Sequence, residues 1–188
     1  MTVTKDEAAS RLDEIDTARR RSLTLFNYGM ASPYLLLWGG LWIVAGVMGA
    51  ASPGNAGIGW LAVDVVGLAG TFCLVLSQSR RAPERSGRLG MVRFIGAAVV
   101  LAAFIALTFR VFAPVTGVQV QTFITLLVAA TYATVGCWLG LRYAVVGAAL
   151  AALAAGAFQL APAQLPLIVS LLGGGALVLG GVWMRRAR

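Results

Sequence analysis

Beyond residue 32 the apolar positions neither alternate nor confine themselves to one helical stripe; they run on. Six unbroken apolar stretches occupy residues 33–50, 57–76, 94–112, 118–139, 143–160 and 165–184, each 18 to 22 residues long. A helix rising 1.5 Å per residue needs about that many to cross a hydrocarbon core of roughly 30 Å. Lipid offers no water to unpaired backbone groups, and the period-two alternation of a barrel strand is absent, so the stretches read as helices. The links Ser52-Pro53-Gly54-Asn55, Ala113-Pro114-Val115-Thr116-Gly117 and Ala161-Pro162-Ala163-Gln164 carry turn residues. Only Gly140-Leu141-Arg142 separates the fourth stretch from the fifth, which predicts a tight antiparallel hairpin. The expected fold is an all-α membrane protein, a six-transmembrane-helix bundle.

Residues 1–32 follow a different pattern. Ala8, Leu12 and Ile15 share one helical stripe that Phe26 continues, and charge fills the rest. Thr4-Lys5-Asp6-Glu7 fits a capping box, and Glu7 with Arg11 and Asp16 with Arg20 are i,i+4 pairs in the favourable order. This predicts an N-terminal amphipathic helix whose Arg19, Arg20 and Arg21 rest on lipid headgroups. The same helix, over residues 4–28, offers a handle for a cytoplasmic partner or for a second copy of the chain. Ser32-Pro33 suits the start of the first spanning helix, Ser as N-cap and Pro at its first position. The expected division is a lead-in at 1–32, a six-helix domain at 33–184 and a basic tail at 185–188.

Composition sharpens this picture by exclusion. Of the 188 residues 59% are apolar and 12% charged, with a net charge of +8; an ordinary soluble domain is about 45–50% apolar and about 25% charged. A short chain this apolar does not hide its surface in one water-soluble globule. There is no histidine, which removes histidine-ligated haem, His-bearing zinc sites and a Ser-His-Asp triad. Cys73 and Cys137 stand in apolar runs without metal or redox spacing. The basic balance is topological. Of fifteen Lys and Arg, fourteen lie in the head, the second link, the fourth link and the tail; Arg110 alone lies toward the other side. By the positive-inside rule both termini are cytoplasmic, in a bacterial inner (plasma) membrane. Charges spread over four membrane-flanking segments do not make a nucleic-acid interface.

Candidate chemistry is sparse. Asp64 lies in the second apolar stretch, and an acid in such a place pairs with a cation or lines a polar path. Arg110 is the cation on that side, so the two form either an intramembrane ion pair or part of a solute- or proton-binding site. Trp60, Gly67 and Thr71 share the helical face of Asp64, and Thr122, Thr125, Ala129, Tyr132 and Gly136 form a stripe on the fourth helix. Trp60, Thr71, Thr122, Thr125 and Tyr132 can thus line a polar seam, although small and hydroxyl residues also serve helix packing in lipid. Trp38 and Trp42, one turn apart, read as core packing, and Gln119, Gln121 and Gln159, near the outer helix ends, either form a polar mouth or are wetted by headgroups. No paired carboxylates, metal cluster or serine with a base is found, which predicts no catalytic residue, no cofactor, no metal and no enzyme. The expected function is that of a non-enzymatic accessory or interaction protein; the alternative is a small-solute or proton-coupled transporter using Asp64.

The stretch Ser32-Pro33-Tyr34-Leu35-Leu36-Leu37-Trp38-Gly39-Gly40-Leu41-Trp42 resembles a group of small uncharacterised bacterial membrane proteins, and so does the closing run from Leu171 to Trp183. The resemblance implies a six-helix inner-membrane protein and carries no activity with it.

Overall fold

A run of apolar residues in an apolar medium satisfies its backbone by coiling. The computed structural model describes residues 5–81 and 88–186, and over them the chain is helical, with no strand. The helices are α1 (Lys5–Ala51), α2 (Ala56–Arg81), α3 (Arg88–Val111), α4 (Gly117–Leu139), α5 (Leu141–Leu160) and α6 (Leu165–Arg185). A 3-10 turn, Pro53–Asn55, joins α1 to α2. Among the described residues, five of these helices are long and apolar enough to cross a membrane; the apolar part of α3, Ile95–Val111, is shorter. The outer surface agrees with a membrane setting. Ile58, Leu61, Leu68, Val100, Leu107 and Leu179 are all exposed, a surface that water penalises and hydrocarbon does not.

The first helix departs from expectation. Ser32 and Pro33 do not begin a new helix: α1 runs through Pro33 without a break for 47 residues, about 70 Å at 1.5 Å per residue. Proline removes one intrahelical hydrogen bond, and the helix continues through that loss. Ser32, buried rather than capping, donates from Oγ to the Gly181 carbonyl of α6 at 2.8 Å. Before it, the Tyr143 hydroxyl donates to the Asn27 carbonyl at 2.9 Å, and Tyr28 is buried against Tyr143. The bundle therefore begins near residue 27 rather than 33, and the preceding turns project beyond it with Leu12 and Ile15 exposed. Thr4 of the expected capping box and the side chains of Glu7 and Arg20 in the expected ion pairs lie outside the described residues.

Close approach of small residues sets the core. On α1, a Cβ at Gly39 would meet the Gly174 carbonyl oxygen of α6 at 2.7 Å, and one at Gly46 would collide with Ser170. The α4–α5 hairpin, whose link is Gly140 alone, is as tight: a Cβ at Gly147 would lie 2.6 Å from the Ala129 carbonyl oxygen. Gly140 has φ +128°, a backbone that side chains other than glycine's rarely adopt. Around these contacts Leu35, Val146, Leu150, Leu165, Leu177 and Met184 form the buried core. Within α6 the α-helical pattern widens to a π turn at Val169–Gly173, opposite Trp42 and Gly46 of α1.

The same contacts gather the basic helix ends. Gln78, near the end of α2, donates to the Met30 carbonyl and accepts from the Tyr34 hydroxyl. Arg142, in the first turn of α5, donates from its guanidinium to the Trp183 carbonyl and lies over the Trp183 ring, 4.7 Å from its centroid. Arg80, Arg142, Arg185 and Arg186 thus share one end of the bundle with the projecting part of α1.

Candidate functional site

Helix α2 leans on α1 through an aromatic contact rather than a small-residue one. Gly67 leaves room for the Trp38 ring, whose Cη2 would lie 2.5 Å from any Cβ placed there. One turn on, Thr71 accepts a hydrogen bond from Trp38 Nε1 at 3.1 Å. Further along, Trp42 of α1 meets Trp60 of α2 edge to face, with ring centroids 6.4 Å apart and planes at 73°. Indoles of this size hold α2 away from α4. The space left is a cavity of about 560 Å³ bounded by α1, α2, α4 and α6. That volume lies within the roughly 300–1,000 Å³ of small-molecule sites.

Its wall carries Trp38, Trp42, Trp60, Asp64, Gln121, Thr125 and Tyr132, and Gly117 with the apolar Val120, Ile124, Val128, Val169 and Leu177 completes it. Asp64 lies eight residues beyond the start of α2, about 12 Å along the axis. Among the described residues it makes no ion pair or hydrogen bond, and it is the one Asp, Glu, Lys or Arg side chain in the wall. A charged side chain at the centre of a spanning helix costs about 2.5–3.5 kcal/mol in insertion measurements. Asp64 is exposed at the open side of this space, so in an apolar surrounding its counter-charge or proton comes from outside the described residues. The hydroxyls are partly committed: Thr125 donates to the Gln121 carbonyl at 2.8 Å, leaving its oxygen lone pairs as acceptors. Tyr132 stacks on Tyr143 behind it, with ring planes 18° apart.

Not every residue of the expected seam arrives in the cavity. Trp60, Asp64, Thr125 and Tyr132 face one space. Thr71 instead fixes Trp38, and Thr122 is buried with its hydroxyl on the Val118 carbonyl at 2.7 Å. Arg110 does not meet Asp64. It stands exposed in the last turn of α3, a helix that touches the bundle mainly where Phe104 and Phe109 pack on Phe123 of α4. α2 and α3 share no extended interface among the described residues, so no ion pair locks them together. Arg19 and Arg21 lie on the projecting part of α1, exposed; the Arg20 side chain lies outside the described residues.

Sequence reasoning passed over Trp38 and Trp42 as site residues, and had Gln121 only as part of a polar mouth. The signal was present in part: Trp38 and Trp42 stand four residues apart, so they share a helix face, but nothing local says which neighbour that face meets. No known protein family, curated protein or solved structure matches the chain. The site therefore has to be read from its own chemistry.

Proposed function

We propose that this chain is a bacterial inner-membrane protein with six spans and both termini in the cytoplasm, and that it binds and carries a small solute through the cavity around Asp64. The observation that supports this most is the unpartnered carboxylate in an aromatic-walled space between helices. Six spans are supported by parity. The projecting part of α1 and the basic end of α6 lie at one end of the bundle, which needs an even number of crossings. α3, at 24 residues, is about 36 Å long and supplies the sixth. The positive-inside rule then makes that end cytoplasmic. A transport reading suits the chemistry better than an enzymatic one, because among the described residues no second carboxylate and no Lys or Arg stands beside Asp64 in the wall.

The test uses the purified full-length chain in proteoliposomes. Small cationic, anionic and neutral solutes are screened by counterflow, alongside a Val128→Phe variant that fills the cavity. Counterflow of at least one solute class in the wild type and its loss in Val128→Phe is the expected result. No counterflow and no solute-dependent quenching of tryptophan fluorescence would overturn the reading.

A second reading, a non-enzymatic accessory protein, rests on a different observation. Leu12, Ile15, Leu23 and Phe26 are exposed along the part of α1 that leaves the bundle. Removing residues 5–26 separates the two readings. A transporter keeps its counterflow without them, whereas an accessory protein loses its partner and shows no counterflow before or after.

A further inference from the structure

Resting on the reading of the cavity as a solute site, we infer that its solute is a monovalent organic cation with a bulky apolar or aromatic body. The wall selects by what it contains. Among the described residues its one formal charge is Asp64, and no Arg or Lys faces the space from α1, α2, α4 or α6. An anion would therefore bring a second negative charge to Asp64 with no cationic side chain in the wall to offset it, and the Gln121 amide already donates to the Pro166 carbonyl. A hard divalent ion fits no better, since calcium takes six to eight oxygens, whereas the wall offers one carboxylate with the Gln121, Thr125 and Tyr132 oxygens.

A large cation with diffuse charge meets none of these obstacles. Trp38, Trp42, Trp60 and Tyr132 supply the electron-rich rings that attract such a charge within about 6 Å of the ring centre, tryptophan most strongly. Trp42 and Trp60 stand at 73° to one another, so the two indoles form a corner rather than a slot. Trp38 is fixed by its bond to Thr71. A corner of rigid rings beside a carboxylate suits a round cation better than a flat one or an extended chain. Val120, Ile124, Val128, Val169 and Leu177 cover its apolar body. The solute then supplies the counter-charge that Arg110, out on α3, does not. Tyr132 is the other titratable group in the wall.

Three probes of nearly equal size test this: tetraphenylphosphonium, tetraphenylborate and neutral tetraphenylsilane. Each is titrated against the tryptophan fluorescence of the full-length chain in lipid nanodiscs, with Val128→Phe as the filled-cavity control. The phosphonium is expected to bind saturably and about tenfold or more tighter than either isostere, a margin on the scale of one desolvated charge contact. Asp64→Asn is expected to erase that margin while Asp64→Glu keeps it. A Trp42→Phe, Trp60→Phe double variant, which retains the carboxylate, is expected to weaken the phosphonium several-fold. That variant decides the matter should Asp64→Asn fail to fold.

Equal binding of the three probes, or unchanged phosphonium binding in Asp64→Asn, overturns the cation assignment. If Val128→Phe still abolishes binding in that case, the cavity remains a solute site without charge preference, as for a lipid chain. If no probe binds, or Val128→Phe changes nothing, the cavity reading itself falls and the cation with it.

Discussion

Helix α4 has two working faces, and they obey opposite rules. On one, Ala129 and Ala133 receive Gly147 of α5 so closely that backbone meets backbone. On the other, Gln121, Ile124, Val128 and Tyr132 look across a cavity of about 560 Å³ toward Trp60 and Asp64 of α2. Both faces are surrounded by apolar sequence, so hydrophobicity does not distinguish them. Side-chain size does. Where lipid is as apolar as the protein, helices associate through close van der Waals packing, which small residues allow. Where Trp38, Trp42 and Trp60 intervene, α2 is held off and a space persists.

The contrast is tested first by adding bulk to the closed face. Gly147→Leu has no room beside the Ala129 carbonyl and the Ala133 amide, and is expected to cost about 3 kcal/mol, the upper part of the overpacking range. Chemical unfolding in detergent measures it, and a loss below about 1 kcal/mol would show that the hairpin gives way easily. A smaller effect belongs to the clamp that sets the gap. Thr71→Val removes the acceptor for Trp38 Nε1 and is expected to cost about 0.6–1.7 kcal/mol, the measured scale of hydrogen bonds between membrane helices. Broadening of the Trp38 indole resonance should accompany it. Smallest of all is bulk added to the open face. Val128 packs on the core but also faces the cavity, which has room for the added ring, so Val128→Phe is expected to cost no more than about 0.5 kcal/mol, below the overpacking range of about 1–3 kcal/mol. A cost as large as that of Gly147→Leu would mean that the cavity collapses in the membrane and that the two faces are alike.

Much of the fold was legible because single helices in lipid are specified locally. The apolar stretches placed the helices to within a turn at most ends, and Gly140 announced the hairpin. The helix ends ran past the apolar runs, as at Arg81 and Arg88, because polar ends continue a helix outside the apolar layer as well as inside it. Ser32-Pro33 misled for a related reason. Its local signal is a helix start, and only the Gly181 carbonyl on a helix about 150 residues away turns Ser32 into a packing contact. Asp64 was legible as an anomaly because a carboxylate is conspicuous in apolar sequence; its surroundings were not.

The sequence by itself determined a membrane-embedded helical protein, the basic helix ends, the hairpin and the one acid worth asking about. These follow from composition and local periodicity, which the bilayer reads one segment at a time. Tertiary structure alone decided that Asp64 faces Trp38, Trp42, Gln121 and Tyr132 rather than Arg110, and that α3 stands aside. Which faces meet depends on where small residues let backbones close and where indoles keep them apart. That is a property of pairs of helices, and no single helix carries it.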